Sequence, residues 1–492
     1  MDLERHLVPK ALALHSTALL GLGLLLPGTR RVRLGVIDLL LLASLVVSMV
    51  SALLAVNRWL AASALGMSLS AAVVFWLGRS MAGTASARWA MAAVAGSAVV
   101  ASLTGLLQAY GLQSEFFVAE RVPGGTFGNR NFLAHYAIIA LPALLVPTLG
   151  ARRLPPRLLG FTGLLIVSAA VALSRSRAAW LAGLGGIAAV ALVALRCRAW
   201  RLSVGSRGLA LTVTAVLAGA ALAATLPNRL SWSSESPYRD SLRGLLDYTD
   251  GSGRGRVVQY RNSLRLLEDD PVLGVGPGNW FVHYPRVTTP GDPSFAGYDP
   301  IPTNPWPSSD WVAFLTERGP AGALLFALAG GAALLVALRR AGQGDPDSEG
   351  RSMALSGVLV AVLVAGAFDA VLLSPAPVLL TAALVGLLLP ETRPVLDRAP
   401  PPRLRVAGAV GSFAALVLLA LLSWTQLRSV RVSAPGAARE QLEAASRRDP
   451  GNHRLHLRLA ARGRCVDRLP HAEAARRLLP FHAYPAGLVK RC

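Results

Sequence analysis

The sequence predicts an all-α, polytopic membrane protein of about 12 transmembrane helices, and two observations lead to this prediction. The 492 residues contain only 15% charged residues, and their mean hydropathy is +0.48. Apolar runs of about 18 or more residues recur along the chain, and a run of that length can cross a bilayer as a helix. Because the runs are continuous and do not alternate with polar residues, they exclude a transmembrane β-barrel.

The apolar runs leave a long loop and a tail outside the membrane. In chain order, the predicted spans cover residues 11–27, 35–56, 59–78, 89–110, 132–150, 158–174, 178–195, 208–226, 311–338, 352–373, 376–390 and 404–424. Residues 227–310 form a loop rich in Pro, Gly, Trp and Tyr, and residues 425–492 form a basic tail. A long loop in a chain of otherwise tight turns is usually functional. We therefore predict a transmembrane domain at 1–424 and a small, soluble helical domain at 425–492.

The arginines predict the side of the membrane on which each loop lies. Most of those in short loops fall in alternate loops, starting with the one that holds Arg30, Arg31 and Arg33. The positive-inside rule places these loops in the cytoplasm. The loop at 227–310 and the tail then lie on the outer, periplasmic side of the cytoplasmic membrane. A net charge of +22 would suggest nucleic-acid binding in a soluble protein, but here much of it sets topology, and we predict no nucleic-acid partner.

The tail contains a short internal repeat and two of the three cysteines. The pair Ala445 and Pro450 recurs 30 residues later, a period typical of helix pairs such as tetratricopeptide repeats, which usually repeat every 34 or so residues. The alternative is a pair of amphipathic helices lying on the membrane. Cys465 and Cys492 would share the outer side and could form a disulfide. No Cys and His spacing is typical of a zinc site, and we predict neither a metal nor a cofactor.

Polar stretches lie at the outer ends of several predicted spans, and the first is Gly124–Pro142. Its glycines permit tight turns, and Asn129 and Asn131 can cap the start of the fifth span. The free N–H groups and the positive dipole at a helix start are suited to a phosphate. The alternative is a capped turn at which the chain simply re-enters the membrane.

Two further stretches supply arginines to the same side. Arg175 and Arg177 lie between two apolar runs, and Arg254 and Arg256 precede an amphipathic helix in the long loop. Arginine at a membrane boundary is costly unless it snorkels to the interface or meets an anion. Its guanidinium group can bind two phosphate oxygens at once. We therefore predict that these four arginines bind a lipid-linked pyrophosphate; snorkelling anchors are the alternative.

A fourth stretch, Pro302–Phe326, returns the long loop to the membrane. Asp310 and Glu317 are seven residues apart in it and share one helix face. Farther along, Asp369 is a lone acid in the tenth predicted span. An ionisable residue inside a span is expected to be paired or functional.

Taken in order, these stretches resemble the O-antigen ligase and polymerase superfamily. The matching segments are Gly125–Ala134, Ser176–Trp180, Arg256–Phe281 and Ser308–Gly319. The resemblance implies transfer of a glycan from an undecaprenyl-pyrophosphate-linked donor to a lipid, glycan or protein acceptor, on the outer face of the membrane. Such transfer belongs to the biosynthesis of cell-surface polysaccharides, including lipopolysaccharide. The resemblance also implies that arginines hold the pyrophosphate and that no metal is needed.

The resemblance further implies a histidine near the end of the long loop that activates the acceptor hydroxyl. In this sequence the corresponding residue is Ser308, which needs help to act as a base at neutral pH. The candidate substitutes are His283 in the loop, His135 in the first stretch, and Asp310. A general base of this kind contributes about 10²–10⁴-fold to a rate.

Two other functions compete with glycan transfer. A transporter with this number of spans often has two related halves with interrupted helices, but no repeat of the halves is evident and the polar stretches cluster on one side. A non-catalytic scaffold that binds lipid-linked glycans is the other alternative. The serine at position 308 favours it, and the tail would then recruit a protein partner.

Overall fold

The chain folds into a bundle of apolar helices with a folded loop and a helical tail at one end. The structure, a computed structural model, describes residues 3–28, 31–117, 121–151, 153–232, 234–244, 251–292, 294, 305–432 and 437–492. In chain order the helices are α1 (Leu3–Leu25), α2 (Val36–Leu54), α3 (Arg58–Met81), α4 (Ala85–Ala109), α5 (Arg130–Gly150), α6 (Leu154–Ser174), α7 (Arg177–Ala194), α8 (Arg198–Ser203), α9 (Ser206–Thr225), α10 (Pro237–Arg243), α11 (Gly251–Leu264), α12 (Trp280–His283), α13 (Asp310–Arg340), α14 (Pro346–Phe368), α15 (Pro375–Leu388), α16 (Pro402–Val432), α17 (Arg439–Arg448), α18 (His453–Ala460), α19 (Cys465–Leu478) and α20 (Ala483–Lys490).

The predicted all-α polytopic fold is confirmed. Within the described ranges, 11 helices are long and apolar enough to cross a membrane, and α15 is a shorter apolar helix. The 14 residues of α15 measure about 21 Å, less than the apolar core of a bilayer at about 30 Å. Pro375 and Pro377 lie in its first turn, where proline is tolerated but cannot extend a helix backwards.

A small two-stranded sheet pairs the segment after α1 with the segment after α15. β1 (Val32–Leu34) pairs antiparallel with β2 (Leu396–Arg398). Both strands lie in the arginine-rich loops that the sequence assigns to the cytoplasm. Arg31 and Asp397 form an ion pair of 2.8 Å beside the strands.

α5 is the central helix of the bundle. In α5, 83% of the membrane-spanning window is buried, compared with 61% in α14 and 11–50% in the other spans. α5 contacts α4, α6, α7, α14 and α15. Residues at the start of α5 therefore lie near the middle of one end of the bundle, which we call the loop end.

The glycine-rich turn of the long loop is fixed to a kink in α13. Residues 233, 245–250, 293 and 295–304 of the predicted loop lie outside the described ranges. The backbone N–H groups of Val275 and Gly276 donate to the carbonyls of Thr316 and Glu317, both at 2.9 Å. The kink is at Gly319, whose φ is +67°. The sequence after α11 thus closes back onto the bundle.

The C-terminal tail consists of two helix pairs that pack on the long loop. Trp280, Phe281 and Tyr284 of the loop share one apolar cluster with residues of the tail, including Leu457 and Leu479. Cys465 and Cys492 form a disulfide within the tail. The tail therefore rests on the loop, and its tetratricopeptide-like character stays a prediction.

Candidate functional site

The site begins at the first turn of the central helix. Asn129 caps α5, and its Oδ1 accepts the backbone N–H of Asn131 at 2.9 Å. Just before the cap, Gly125 and Gly128 have positive φ. A Cβ on Gly125 would lie 2.8 Å from the backbone nitrogen of Gly105 in α4, so glycine is required there. The tight turn and capped helix start expected from the sequence are both present.

One turn into α5, His135 faces Asp369 at the end of α14. His135 Nδ1 lies 3.9 Å from Asp369 Oδ2, and Asn131 Nδ2 lies 3.5 Å from the same oxygen. Asn131 and His135 are four residues apart and so share one face of α5. His135 has no exposed surface, and within the described ranges neither ring nitrogen has a hydrogen-bond partner. A buried polar atom without a partner calls for a physical explanation, such as a catalytic role.

Arg256 in α11 is the cation of this cluster. Among the charged groups, Asp369 and Arg256 act most strongly on His135. Arg256 Nε is buried without a hydrogen-bond partner among the described residues. The hydroxyl of Tyr260, one turn later, lies 2.6 Å from the carbonyl oxygen of Ser308 and 2.9 Å from that of Ala367, and can donate to either. Tyr260 thereby holds α11 against the bundle and brings Arg256 to the start of α5.

Ser308 and Asp310 lie where the long loop returns to the bundle. The backbone N–H of Ser308 donates to Gln259 Oε1 of α11 at 2.6 Å, so the position at which the resemblance implies a histidine does lie at this site. Asp310 is fully buried, and both its oxygens accept the N–H of Leu372, at 2.8 and 2.9 Å. This carboxylate therefore stabilises the segment that follows α14; a role for it as a base stays a prediction.

The other candidate histidine, His283, lies in the interface between loop and tail. Its ring is 4.9 Å from the ring of Phe481, and its Nδ1 lies 3.4 Å from Arg286 Nη1. Burial, aided by Arg286, lowers the pKa of His283 to about 4. The residues around His283 belong to the interface with the tail, whereas the charged groups beside His135 are Asp369 and Arg256. The structure therefore does not bring the two histidines into one cluster.

A second group of arginines surrounds Trp232 on another side of α5. The guanidinium groups of Arg130 and Arg175 lie 5.1 and 4.5 Å from the ring centroid of Trp232. Arg175 Nε also donates to Ser241 Oγ in α10 at 3.0 Å. Burial lowers the pKa of Arg175, and nearby Tyr238 and Asp240 oppose that effect. Of the residues that the structure describes, only Arg121 and Arg175 have positive φ without being glycine, and both repel Arg130.

The remaining predicted anion ligands are arranged around these two groups. Arg177, at the start of α7, donates to the carbonyl of Gly244 at the end of α10. Arg254 is exposed in α11, two residues before Arg256. The loop end thus gathers arginines from three separate parts of the sequence: the start of α5, the junction of α6 and α7, and α11. Across the described ranges, no group of three or more His, Cys, Asp or Glu side chains is placed to hold a metal ion.

Residues 162–327 match a family model described as O-antigen ligase. The match identifies an O-antigen ligase domain in this part of the chain. The matched range runs from α6 through the long loop into α13, and it includes Arg175, Arg177, Arg256 and Ser308. No curated protein matches the chain.

The predicted superfamily is thereby confirmed for the O-antigen ligase domain. The family indicates glycan transfer of the O-antigen ligase or polymerase type, in polysaccharide biosynthesis. His135 and Asp369 lie outside the matched range, on either side of it, and the fold brings them next to the domain. The C-terminal tail also lies outside this range.

Three contributions to the site were missed from the sequence alone. The pairing of His135 with Asp369 joins residues far apart in the chain, and no local pattern announces it. Arg130 was not among the predicted site residues, although its place directly after the capping Asn129 could have signalled a site residue. Trp232 gave no signal in a loop already rich in aromatic residues.

Proposed function

We propose that the chain transfers a glycan from an undecaprenyl-pyrophosphate-linked donor to an acceptor hydroxyl at the loop end of the bundle. The observation that carries the proposal is the cluster of His135, Asp369 and Arg256 beside the O-antigen ligase domain. A histidine paired with a carboxylate can accept a proton, and a nearby arginine can bind a phosphate. The acceptor is a lipid, a glycan or a protein.

In the proposed reaction the acceptor oxygen attacks the anomeric carbon of the donor sugar. The bond between that carbon and the pyrophosphate oxygen breaks, and undecaprenyl pyrophosphate leaves. The acceptor proton passes to Nε2 of His135, since Nδ1 faces Asp369. Asp369 stabilises the resulting imidazolium. Because His135 has no exposed surface, the proposal requires the long loop to open for the acceptor.

The arginines have a separate role in this mechanism. As the sugar bond breaks, negative charge grows on the leaving pyrophosphate. Arg256, supported by Arg175 and Arg177 at the loop end, would stabilise that charge. Fixed cations placed where charge develops are among the largest contributions to catalysis. Among the three candidate bases, His135 is favoured because it faces Asp369, whereas His283 lies against Phe481 of the tail and Asp310 accepts the backbone N–H of Leu372.

We further propose that the loop end faces the periplasm. The arginine-rich loops lie at the opposite end, as the positive-inside rule requires. The disulfide between Cys465 and Cys492 supports the same orientation, because disulfides persist in oxidising compartments. The tail contacts the long loop, so the two share one side of the membrane.

The proposal is tested by a transfer assay with the full chain in liposomes. The donor is an undecaprenyl-pyrophosphate-linked glycan, and both the glycosylated product and released undecaprenyl pyrophosphate are measured. Arg256→Ala is expected to reduce transfer at least 100-fold, as loss of a charge-stabilising donor typically does. Arg261→Ala, an exposed arginine on the same helix, is the matched control and should retain transfer.

Equal transfer by Arg256→Ala and the parent protein would refute the assigned role of the arginine. Saturable binding of the donor without turnover by the parent would instead favour a non-catalytic scaffold. The observation that favours this second function is Ser308, at the position where the resemblance implies a histidine.

A further inference from the structure

One end of the C-terminal tail reaches the membrane boundary. Its neighbour there is the short turn between the membrane-spanning helices α2 and α3. Asn57, which caps α3, donates its side-chain amide to the carbonyl of Leu478 at the end of α19, at 3.0 Å. A Cβ on Gly451, just after α17, would overlap the indole of Trp59 in the first turn of α3. The ends of α17 and α19 therefore rest where these two helices leave the bilayer.

The side chain of Trp59 indicates the level of this contact relative to the membrane. It is 55% exposed beside the tail, and tryptophan side chains favour the interface between lipid and water. The exposed Arg58 directly before it adds a cation at the same level. The surface next to these two residues therefore faces lipid headgroups.

Both helix ends that rest there carry a pair of exposed arginines. Arg447 and Arg448 are the last residues of α17, and Arg476 and Arg477 lie in the last turn of α19. The internal repeat of 30 residues brings Arg447 and Arg477 to equivalent positions. A cation in a last turn complements the helix dipole, but neighbouring cations repel one another, so a bound anion would stabilise both pairs. We call this surface, with Arg58, the membrane end of the tail.

The far end of the tail, away from the membrane, differs in its charges. α17 and α19 begin together there, since Arg439 at the start of α17 donates to the carbonyl of Asp467 in the first turn of α19 at 2.7 Å. Among the described tail residues, the exposed acids are Glu440 and Asp467, and both lie at this far end. Asp449, the acid at the membrane end, is half-buried and accepts the side-chain amide of Asn452 at 3.1 Å. Exposed cations are thus accompanied by exposed acids at the far end but not at the membrane end.

We propose that the membrane end of the tail binds the headgroups of anionic phospholipids. A guanidinium group can bind two phosphate oxygens at once, and each arginine near an anionic membrane surface strengthens the attraction about fivefold. A phospholipid is favoured over a soluble polyanion because the cations lie at the level of Trp59, against the bilayer. The tail also packs on the long loop, so the bound lipid holds the tail in place over that loop. The inference does not rest on the proposed function.

The test places the full chain in phosphatidylcholine nanodiscs that contain increasing fractions of phosphatidylglycerol. Amide hydrogen exchange in α17 and α19 reports lipid binding, and the fraction of phosphatidylglycerol that gives half-maximal protection measures the affinity. In the parent protein, protection is expected to rise with that fraction. Arg447→Gln with Arg448→Gln, and separately Arg476→Gln with Arg477→Gln, should each raise the half-maximal fraction at least about fivefold.

The matched control removes the same charge at the far end of the tail. Arg464 and Arg491 are both exposed, and each lies next to a cysteine of the disulfide between Cys465 and Cys492. Arg464→Gln with Arg491→Gln should leave the half-maximal fraction unchanged. Melting temperatures in phosphatidylcholine alone show whether each variant is folded, and the two test pairs are independent, so either one decides.

Three results would overturn the inference. One is exchange in the parent protein that does not respond to phosphatidylglycerol. Another is a folded test variant with the parental response, or a control variant that loses the response to the same degree as the test variants. The third is equal protection by a soluble acidic polysaccharide in phosphatidylcholine alone, which would assign the arginines to a glycan.

Discussion

At the residue scale, His135 differs from an ordinary buried histidine. A core histidine usually donates one ring N–H to a carbonyl or carboxylate and so has a fixed tautomer. His135 has Asp369 at 3.9 Å, beyond hydrogen-bond distance, and no partner for either nitrogen among the described residues. Catalytic hydrogen bonds are often long in an enzyme without substrate and shorten when the substrate binds. The geometry of His135 and Asp369 is consistent with that behaviour.

Arg130 gives a test of the second arginine group. It lies against Trp232 and is repelled by Arg175 and Arg121, so an anion bound there would relieve the repulsion. Arg130→Ala is expected to raise the KM for the donor about tenfold, the effect of losing one charge-assisted hydrogen bond. The rate at saturating donor should change little. Arg243→Ala, exposed at the end of α10, serves as the control, and an unchanged KM for Arg130→Ala would remove Arg130 from the site.

Local sequence patterns predicted some of these residues and not others. Neighbouring residues indicated the capping Asn129, Arg256 ahead of an amphipathic helix, and the boundary arginines Arg175 and Arg177. Asp369 was recognised as unusual, because an acid in a span is costly. Its partner could not be inferred, since the contact depends on how α5 and α14 pack.

At the element scale, the turn at Gly274–Gly278 and the kink in α13 form one unit. Gly274, Gly276 and Gly278 all have positive φ. On the bundle side, a Cβ on Gly319 would meet the backbone carbonyls of the segment that carries this turn. Two backbones therefore approach closely because neither has a side chain in the way. The glycines permit such a turn, but its docking partner could not be inferred from the sequence, because it is contributed by a different segment of the chain.

Gly319→Ala tests this unit. The alanine would require a positive φ and would overlap backbone atoms that cannot move independently. We expect a loss of stability of about 2–4 kcal/mol, combining backbone strain with the steric overlap. Thermal unfolding in detergent would measure it. Gly411→Ala, at an open position in α16, is the control and should leave the melting temperature unchanged. A parental melting temperature for Gly319→Ala would show that the close approach of the two backbones does not contribute to stability.

At the scale of the whole molecule, the tail covers the long loop through a set of buried histidines. His453 and His482 contact Phe281 of the loop, His453 through its ring and His482 through a 2.9 Å hydrogen bond to the Phe281 carbonyl. Burial lowers the pKa of His453 to about 3 and that of His283 to about 4. The docked tail therefore holds these side chains neutral.

The docking of the tail should weaken in acid. A released tail would take up protons below the usual histidine pKa of about 6.5, whereas the docked form resists them. Docking is then strongest above pH 6.5 and weakens as the pH falls towards 4. The equilibrium constant for docking falls by up to about tenfold per pH unit for each histidine. Amide hydrogen exchange in α18 and α20 at pH 7.5 and 5, corrected for intrinsic rates, measures the effect. A His453→Gln variant should show a smaller change, and equal protection at both pH values would contradict the account.

The architecture was the most predictable property of the molecule, and the tail the least. The number of transmembrane helices can be predicted from the hydrophobic runs, because the thickness of the bilayer fixes the length that each helix needs. The predicted span at 376–390 shows the limit, since α15 is too short to cross the membrane alone. That the tail would cover His283 could not be predicted, because the contact depends on two distant surfaces and leaves no periodic pattern.

The most direct test of the central claim compares two histidines in one transfer assay. Initial rates with the undecaprenyl-pyrophosphate-linked donor are measured for the parent, His135→Ala and His283→Ala. Loss of the base should reduce the rate of His135→Ala about 10²–10⁴-fold, while His283→Ala should stay within about threefold of the parent, since its ring lies under the tail. A large loss in His283→Ala with normal transfer by His135→Ala would contradict the account and place the base in the long loop.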